Sequence, residues 1–254
     1  MWDRDATYHY YQHGPLARIE LGEDQVQGLD YFYTLQGWLK GVNSEGLTPE
    51  ADPGHDGTAT TNGLHHHTAR DAMGFSLGYY SGDYQSIAAL SGTSNPLASK
   101  AGSGLQNGTD DLYNGNIARM ITAIDALGAP QAMGYRYDQL NRLKRAQRYS
   151  DFDATANAWG PATADTDYRV DLTYDANGNI LSLKRNGTTA GGNALAMDDL
   201  SYTYLSGTNK LDHVTDGVTE SNYTTDIDGQ SAGNYDYDPL GQLTKDAAED
   251  IDTI

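Results

Sequence analysis

Residues 168–187 read YRVDLTYDANGNILSLKRNG. Apolar and polar side chains alternate from Val170 to Tyr174, as in a strand with one buried face and one wet face. Asp175 then begins a turn, and Gly178 is expected to take the positive φ that closes a three-residue loop with a bulge. An apolar residue, Ile180, opens the second strand. The stretch therefore predicts an antiparallel β-hairpin packed on one side.

The same repeat returns along the chain. It reads aromatic or aliphatic, any residue, Tyr, three residues, Gly or Asn, any residue, and Leu or Ile. Its copies are Tyr8-Tyr10-Gly14-Leu16, Tyr31-Tyr33-Gly37-Leu39, Tyr135-Tyr137-Asn141-Leu143, Leu172-Tyr174-Gly178-Ile180 and Tyr235-Tyr237-Gly241-Leu243; Tyr202-Tyr204-Asn209-Leu211 fits with one extra residue in the turn. Side chains at i and i+2 share one face of a strand, so the paired aromatics indicate strands.

Two sets of repeat positions are predicted to be structural. The turns are set by residues that tolerate left-handed geometry: Gly14, Gly37, Asn141, Gly178 and Gly241. The sheet is packed by the second aromatic of each copy, called here the repeat tyrosine: Tyr10, Tyr33, Tyr137, Tyr174, Tyr204 and Tyr237. Asparagine replaces glycine at position 141 because it is the next most tolerant residue at positive φ.

The repeats are interrupted by a segment rich in Gly, Ser and Thr. Its pieces GTATTNG (57–63) and SGTSNP (91–96) are typical of loops, and residues 75–84 contain a short strand-like alternation. We expect one continuous all-β architecture: hairpins in residues 1–43, a loop-rich insertion in 44–112, and hairpins again in 113–254. Successive antiparallel hairpins would then form a curved sheet. A section of such an array should leave open edges, so we expect poor solubility or self-association.

Composition excludes several partners. The 254 residues carry a formal net charge of −19, which repels phosphate backbones and anionic lipid surfaces, so we expect no nucleic acid as a partner. No apolar run approaches the roughly 18 residues that a membrane span needs. Without cysteine there is neither a disulfide framework nor a Cys-ligated metal site.

Candidate catalytic and metal sites are weak. His65-His66-His67 lie in a Gly- and Thr-rich segment, where adjacent side chains of an extended chain point to opposite faces. Asp175-Ala-Asn-Gly-Asn179 and Asp226-Ile-Asp-Gly229 resemble fragments of calcium loops but lack the acidic ligand of the twelfth position, and turn chemistry is favoured for both. There is no nucleophile elbow and no phosphate-binding glycine loop. We predict no catalytic residue, no metal and no cofactor.

The ordered motif resembles a known family. Tyr-Asp-x-x-Gly/Asn-x-Leu, with the fuller stretches GYRYDQLNRL (134–143) and LTYDANGNI (172–180), is similar to the YD repeat of bacterial Rhs proteins. The segments YTLQGWLKGVN (33–43), FSLGYYSGDY (75–84) and LYNGNI (112–117) also resemble stretches of large Rhs-type polypeptides. Together the similar residues cover about 8–43 and 69–245.

The resemblance implies a shell of β-hairpins, as in Rhs polymorphic toxins, the C component of Tc toxin complexes and the teneurin ectodomain. In the toxins this shell sequesters a C-terminal toxic domain. The expected partners are therefore the remaining repeats of the same polypeptide and an enclosed effector segment, and the expected location is secreted or at the bacterial cell surface. Tyr237-Asp-Pro-Leu-Gly241 resembles an Asp-Pro motif of the self-cleaving core, but it keeps the repeat register, so we interpret it as a hairpin and assign no self-cleavage residue.

Two other functions stay open. Exposed tyrosines beside Asp and Asn are also a common way to bind sugars, so a cell-surface adhesin or carbohydrate-binding β-module is the alternative, with glycans as partners. A catalytic β-domain is the third possibility. Exposure of the tyrosine rings separates the first alternative from burial within a sheet.

Overall fold

The computed structural model describes residues 3–57, 65–86, 95–161 and 165–252. Apart from Gly57, Asn95 and Pro96, the two predicted loop pieces lie outside these residues. The strands are β1 (Ala6–Tyr10), β2 (Leu16–Leu21), β3 (Gln27–Tyr33), β4 (Leu39–Val42), β5 (Met73–Gly78), β6 (Arg119–Ile124), β7 (Gln131–Tyr137), β8 (Leu143–Tyr149), β9 (Phe152–Asp153), β10 (Ala158–Trp159), β11 (Asp165–Tyr174), β12 (Ile180–Asn186), β13 (Ala196–Tyr204), β14 (Leu211–Asp216), β15 (Tyr235–Tyr237) and β16 (Leu243–Asp246). The helices are short: α1 (Gly104–Asn107) and two 3₁₀ turns, Asp125–Leu127 and Ala190–Gly192.

The strands form an open antiparallel sheet of successive hairpins. Twelve of them follow one another in chain order, β1 to β8 and then β11 to β14, while β9–β10 and β15–β16 are separate two-stranded ribbons. Most neighbouring strands of the sheet are joined by short turns, which connect antiparallel strands without a crossover. Longer segments join β4 to β5, β5 to β6 and β8 to β11. The predicted all-β fold of consecutive hairpins is confirmed.

The repeats share one pairing register. In five copies the repeat tyrosine pairs with the Leu or Ile six or seven residues later, called here the exit residue: Tyr10 with Leu16, Tyr33 with Leu39, Tyr174 with Ile180, Tyr204 with Leu211 and Tyr237 with Leu243. In each pair of strands the register shifts just before the tyrosine, because the residue after the exit residue has no partner. Each of these five copies therefore contains a β-bulge beside its turn.

The chain divides into two compact units. The first contains Met1–Arg136 and Tyr149–Ala164, and the second contains Tyr137–Arg148 and Asp165–Ile254. The first unit holds the buried apolar cluster, which consists of Ala98, Leu105, Ile121, Ala132, Tyr149 and Trp159 with Phe152 packed against it. In α1, Ser103 accepts a hydrogen bond from Gln106 N at 3.1 Å, which caps the helix and places Leu105 in this cluster.

The second unit is built almost entirely from hairpins. Strand β14 is partly covered beyond its pairing with β13, because Gln230 N and Asn234 N donate to Val214 O and Asp212 O at 2.8 and 3.0 Å. Among the described residues of this unit, only Ala146, Leu200 and Val214 are buried hydrophobic residues. Its stability therefore depends on strand pairing and part-buried rings more than on a central core.

The segment between the second and third repeats contributes to the sheet. Strand β5 pairs with β4 on one side and with β6 on the other. It begins at Met73 and ends at Gly78, so the strand-like alternation in residues 75–84 continues as a turn from Tyr79 onward. Among the described residues, no helix has the length and apolar character needed to cross a membrane.

Candidate functional site

The predicted turn residues lie at positive φ in the structure. The values are 113° for Gly14, 83° for Gly37, 63° for Asn141, 98° for Gly178 and 87° for Gly241. Each turn carries the same two backbone hydrogen bonds. In the copy at Tyr174, Asp175 N donates to Asn179 O at 2.9 Å and Gly178 N donates to Asp175 O at 3.3 Å. A type I turn followed by a left-handed residue has this pattern.

The copy with the longer turn, Tyr202 to Leu211, has its left-handed residue at a position that the repeat does not mark. Here Gly207 takes the positive φ, 75°, and Asn209 is not among the residues at positive φ. The extra residue moves the left-handed position, so that Thr208 N rather than a glycine N donates to Leu205 O at 3.0 Å. Asn209 instead accepts from Asn179 Nδ2 at 2.9 Å through its side chain.

The aspartate after the repeat tyrosine organises the turn. Asp138 Oδ1 accepts from Leu140 N and Arg142 N at 2.8 and 3.0 Å, and Asp238 Oδ1 accepts from two backbone amides in the same way. Asp175 accepts from Asn179 through both its backbone and its side chain. Hydrogen bonds from Arg142 lower the pKa of Asp138, and hydrogen bonds from Asn179 lower that of Asp175. The Tyr-Asp pair thus joins a strand residue to a turn residue.

The repeat tyrosines link consecutive hairpins. Each of four donates its hydroxyl to the main-chain oxygen of the preceding copy's exit residue: Tyr33 to Leu16 (3.0 Å), Tyr174 to Leu143 (2.7 Å), Tyr204 to Ile180 (2.8 Å) and Tyr237 to Leu211 (3.0 Å). Their rings are part-buried and burial raises their pKa. We call this contact the tyrosine link. It fixes each hairpin to the one before it.

Two repeat tyrosines stand apart from this series. Tyr10 is 64% exposed, and its neighbour Tyr11 donates to Tyr31 O at 2.7 Å. Tyr137 ends β7 and directly precedes the Asp138 turn. The structure therefore brings the predicted turn residues into one recurring geometry, and most of the predicted tyrosines into one recurring contact.

A further tyrosine link occurs outside the six predicted copies. Tyr79 donates to Leu39 O at 2.8 Å, and its ring lies 4.9 Å from that of Trp38. Tyr79 follows Leu77 at the spacing of the first two repeat positions, which is the signal by which the sequence could have identified it. The turn after it lacks the usual Gly or Asn spacing, because a long segment leads to β6 instead.

At two of the links, the residue directly before the exit residue also contacts the tyrosine ring. The Arg142 guanidinium lies 4.6 Å from the centre of the Tyr174 ring and donates to Asp175 O at 2.9 Å. Lys210 lies 5.4 Å from the centre of the Tyr237 ring. In both contacts the cation comes from the preceding turn and lies over the ring of the linked tyrosine, as in a cation–π interaction. The sequence repeat leaves this position unspecified, so pattern reasoning missed it.

A cluster of buried acids lies in the first unit. Arg18 on β2 contacts Asp30 Oδ2, Asp56 Oδ1 (2.7 Å) and Glu20 Oε1 (3.2 Å). Asp52 Oδ2 accepts from Asp56 N at 2.9 Å. These five residues are at most 7% exposed. We call Arg18, Glu20, Asp30, Asp52, Asp56 and Asp71 the acidic cluster.

Electrostatics in the acidic cluster oppose ionisation. Burial raises the pKa of Asp30 to about 7, although Arg18 opposes the shift. Burial and the neighbouring carboxylate of Asp52 also raise the pKa of Asp71. A buried carboxylate needs a counter-charge, a metal ion or a proton. The Arg18 guanidinium bonds Glu20, Asp30 and Asp56, whereas Asp71 accepts a hydrogen bond from Gln27 Nε2 at 2.8 Å.

The other candidate metal ligands are the histidine run, residues 65–67, and the calcium-like fragments. His65 Nδ1 lies 3.1 Å from Glu20 Oε1, while the rings of His66 and His67 contact each other at 3.6 Å. Asp226, from one of the calcium-like fragments, lies near Asp198 and Asp216 in the second unit. Among the described residues, the carboxylate and imidazole groups close enough to share one ion are this trio and Asp30, Asp52 and Asp56. None includes the predicted histidine run.

A stacked pair of tyrosines, the half-buried Tyr80 and the exposed Tyr113, borders a cleft in the first unit. The cleft has a volume of about 700 Å³ and is lined by Lys40, Tyr80, Asp83 and Arg119 among others. The ring of Tyr113, which is 71% exposed, stacks on Tyr80 at 4.6 Å. This arrangement has the aromatic and polar groups that a sugar ring contacts.

Comparison with solved structures finds similar chains, whereas the sequence comparisons find none. No family model matches the sequence, and no curated protein matches it. The chain is similar to a chain in the crystal structure of TcdB2-TccC3-Cdc42, with 12% sequence identity and a TM-score of 0.24. The alignment covers 94% of this chain and 13% of that chain, so this chain spans a small part of the other's length.

Proposed function

We propose that this chain is a section of a β-hairpin wall of the Rhs/YD-repeat kind, which encloses an effector segment of the same polypeptide and catalyses no reaction itself. The tyrosine link carries this proposal. A wall that encloses a cargo must join many hairpins edge to edge in a fixed order, and the links at Leu16, Leu39, Leu143, Ile180 and Leu211 supply such a joint between consecutive hairpins.

The distribution of polar groups supports a structural role for the repeats. Asp138 and Asp175 accept hydrogen bonds within their own turns, and the repeat tyrosines donate to main-chain oxygens. A general acid or base must have its reactive atoms directed toward a substrate. The repeat residues are used for joining strands.

A longer polypeptide would provide the missing neighbours. In this proposal the remaining repeats pair with the sheet edges, and the enclosed segment lies against the inner face. The location at the bacterial surface or outside the cell belongs to the same proposal. The wall is closed by repetition, because each repeat buries its apolar face only against the next.

The coding region downstream of this chain gives the first test. A core segment followed by a variable domain would support enclosure of an effector, and a cell-wall anchor would contradict it. In the longer polypeptide, limited proteolysis should leave the effector segment intact while the shell is folded and cut it after denaturation. Equal cleavage in both states would overturn the proposal.

The second candidate is a carbohydrate-binding module, and the stacked Tyr80–Tyr113 pair favours it. A glycan array and a hydrophobic-dye assay on the purified chain separate the two functions. A wall section should bind the dye at its exposed edges and select no sugar. Selective glycan binding that is lost in Tyr113→Ala would favour adhesion. Turnover of a substrate that one Asp→Asn change abolishes would instead identify an enzyme.

A further inference from the structure

The cleft in the first unit concentrates positive charge in an acidic chain. Among the described residues, its lining contains three cations, Lys40, Lys100 and Arg119, and one carboxylate, that of Asp83. The chain as a whole carries a formal net charge of −19. A concave site lined mostly by one sign of charge attracts ligands of the opposite sign. The cleft therefore favours an anionic ligand.

The two lysines of the lining have close partners of their own. Lys40 Nζ lies 2.8 Å from Asp83 Oδ1, and Lys100 Nζ lies 2.8 Å from Glu45 Oε1. Both ammonium groups are thus paired within the protein. We therefore expect an anion in the cleft to contact Arg119 rather than a lysine.

Arg119 is paired more weakly than the lysines. Its side chain is 5% exposed, and the carboxylate oxygen that contacts it, Asp111 Oδ1, lies 3.4 Å from Nη2, which is longer than the usual N–H···O hydrogen bond. Its other hydrogen bond within the described part of the chain goes to the neutral hydroxyl of Thr109 at 3.0 Å. A guanidinium has five N–H donors, so donors remain for a ligand. A buried cation is normally paired with an anion, and a carboxylate in the cleft would supply one.

Asp111 holds the aromatic side of the cleft close to Arg119. Its Oδ1 accepts hydrogen bonds from Ser81 N at 2.8 Å and from Ser81 Oγ at 3.2 Å, and the same oxygen contacts Arg119. Ser81 directly follows Tyr80 in the sequence. One carboxylate oxygen therefore positions the guanidinium and the stacked tyrosines relative to each other.

The stacked tyrosines form a fixed aromatic surface at the cleft. Leu112 N donates to Tyr79 O at 2.8 Å, which places Tyr113 beside Tyr80. The two rings lie 4.6 Å apart with an angle of 27° between their planes, and Tyr80 accepts a hydrogen bond from Gln36 Nε2 at 2.7 Å through its hydroxyl. Tyr113 is nevertheless 71% exposed. An aromatic ring held in place but left open to solvent can contact a ligand without rearrangement.

We propose that this cleft binds a carboxylated sugar, such as a uronic acid unit, with Arg119 holding the carboxylate and the Tyr80–Tyr113 pair contacting the sugar ring. The planar guanidinium matches a carboxylate with two parallel hydrogen bonds. The cleft volume of about 700 Å³ is typical of ligand pockets. Gln106 and Asn157 in the lining offer hydrogen bonds to sugar hydroxyls. This inference rests on the carbohydrate-binding candidate, specifies its ligand, and is independent of the wall.

Titration of the purified chain with three small probes tests the ligand class. The probes are methyl β-D-glucuronide, its neutral methyl ester and sodium acetate, and binding is followed by NMR. We expect the glucuronide to bind at least about tenfold more tightly than the ester, because the ester cannot form charge-assisted hydrogen bonds with Arg119. Acetate should also bind more weakly than the glucuronide, since it has no ring to contact the tyrosines.

Two variants assign the contacts. Tyr113→Ala removes an exposed ring and should weaken glucuronide binding about threefold to tenfold. Arg119→Lys keeps the charge but removes the planar fork, so it should weaken binding of the glucuronide at least about tenfold and leave binding of the ester unchanged. Circular dichroism and Tm show whether each variant is folded. Should Arg119→Lys not fold, the comparison of glucuronide with ester on the parent chain carries the charge test.

Matched controls come from outside the cleft. Tyr8→Ala removes a tyrosine that is 57% exposed on β1, and Arg4→Gln removes one exposed positive charge. Both variants should bind the glucuronide as the parent does. They control for the loss of any exposed ring and for the change in net charge.

Four results would overturn the inference. Equal affinity for the glucuronide and its ester would leave a carbohydrate-binding module that does not select acids. Equal affinity for acetate and the glucuronide, or full glucuronide binding by Tyr113→Ala, would identify an anion site that does not recognise the sugar ring. No binding of either sugar by the parent chain at about 10 mM would reject the carbohydrate-binding candidate together with this inference, and would leave the proposed wall unaffected.

Discussion

Tyr174 makes two interactions, of which a phenylalanine at this position could keep only the ring contact. Its ring packs under Arg142, and its hydroxyl donates to Leu143 O at 2.7 Å. The ring alone would suit any aromatic residue, whereas the hydrogen bond requires tyrosine. This contact explains why tyrosine rather than phenylalanine stands at the linked positions.

Tyr174→Phe should therefore destabilise the fold while leaving the ring in place. We expect a loss of about 1 kcal/mol in the free energy of unfolding, because one part-buried hydrogen bond is removed. Urea denaturation followed by circular dichroism measures it. Tyr168→Phe is the matched control, since that ring is 48% exposed, and it should change stability by less than about 0.5 kcal/mol. Equal losses in the two variants would exclude the tyrosine link as a source of stability.

Gly178 and Asn141 occupy equivalent turn positions with different backbone angles. Gly178 has φ 98°, outside the range that asparagine adopts easily, whereas Asn141 has φ 63°. Space does not limit Gly178, because the nearest atom to a Cβ added at this position would be an Arg142 nitrogen at 3.9 Å. Any cost of substitution there is therefore backbone strain.

Gly178→Val should cost about 1–3 kcal/mol because a β-branched residue is strained at positive φ. Gly178→Asn should cost less, and Asn141→Gly should change stability by under about 0.5 kcal/mol. Thermal denaturation of the three variants beside the parent measures the series. Equal stability of Gly178→Val and the parent would disprove the assigned turn geometry.

The hairpin is the element that the sequence predicts best. Its strands, its turn and its bulge lie within about a dozen consecutive residues, so local propensity and alternation carry enough information. Gly178, Gly241 and their equivalents were identifiable for this reason. Where the turn is longer, the left-handed residue is Gly207, a position that the repeat spacing does not mark.

The turn aspartates predict a pH dependence of hairpin stability. Hydrogen bonds from Asn179 lower the pKa of Asp175 in the folded state, so the carboxylate stabilises the fold above its unfolded pKa of about 3.9. That contribution is lost as the pH falls through the lower folded pKa. We therefore expect Asp175→Asn to be less stable than the parent at neutral pH and to lose this deficit as the pH falls below about 4 and through the folded pKa.

Denaturant midpoints at a series of pH values measure this difference. Asp236→Asn is the control, because its carboxylate is 66% exposed and lies 3.8 Å from Lys245. The stability of this variant relative to the parent should change little over the same range. A constant difference between Asp175→Asn and the parent at every pH would contradict the assigned role of the charge.

The sequence pattern did not predict which residues far apart along the chain contact each other. Arg18 and Asp56 are 38 positions apart, and nothing in the repeat pattern indicates that they meet. For the link from Tyr79 to Leu39, 40 positions apart, the spacing of Leu77 and Tyr79 marks the tyrosine but not its partner. Pattern reasoning identifies which residues face a buried side, whereas the acidic cluster depends on which loop lies over which strand.

At the scale of the whole sheet, the edge strands are where another chain could pair. Strand β1 pairs only with β2 among the described strands, whereas β14 is partly covered by Gln230 and Asn234. An edge strand offers unpaired N–H and C=O groups to another chain. The net charge of −19 opposes association at long range, but physiological salt screens it beyond about 8 Å.

We therefore expect self-association through β1 that increases with protein concentration at about 0.15 M salt. Tyr8 lies on this strand and is 57% exposed, and Tyr8→Lys should shift the chain toward monomer because an edge lysine disfavours pairing. Leu127→Lys makes the same change in charge at a residue that is 78% exposed in the 3₁₀ turn Asp125–Leu127, so it should leave association unchanged. Sedimentation velocity measures both. A parent chain that sediments as a thermostable monomer at every concentration would show that β1 is not an open edge.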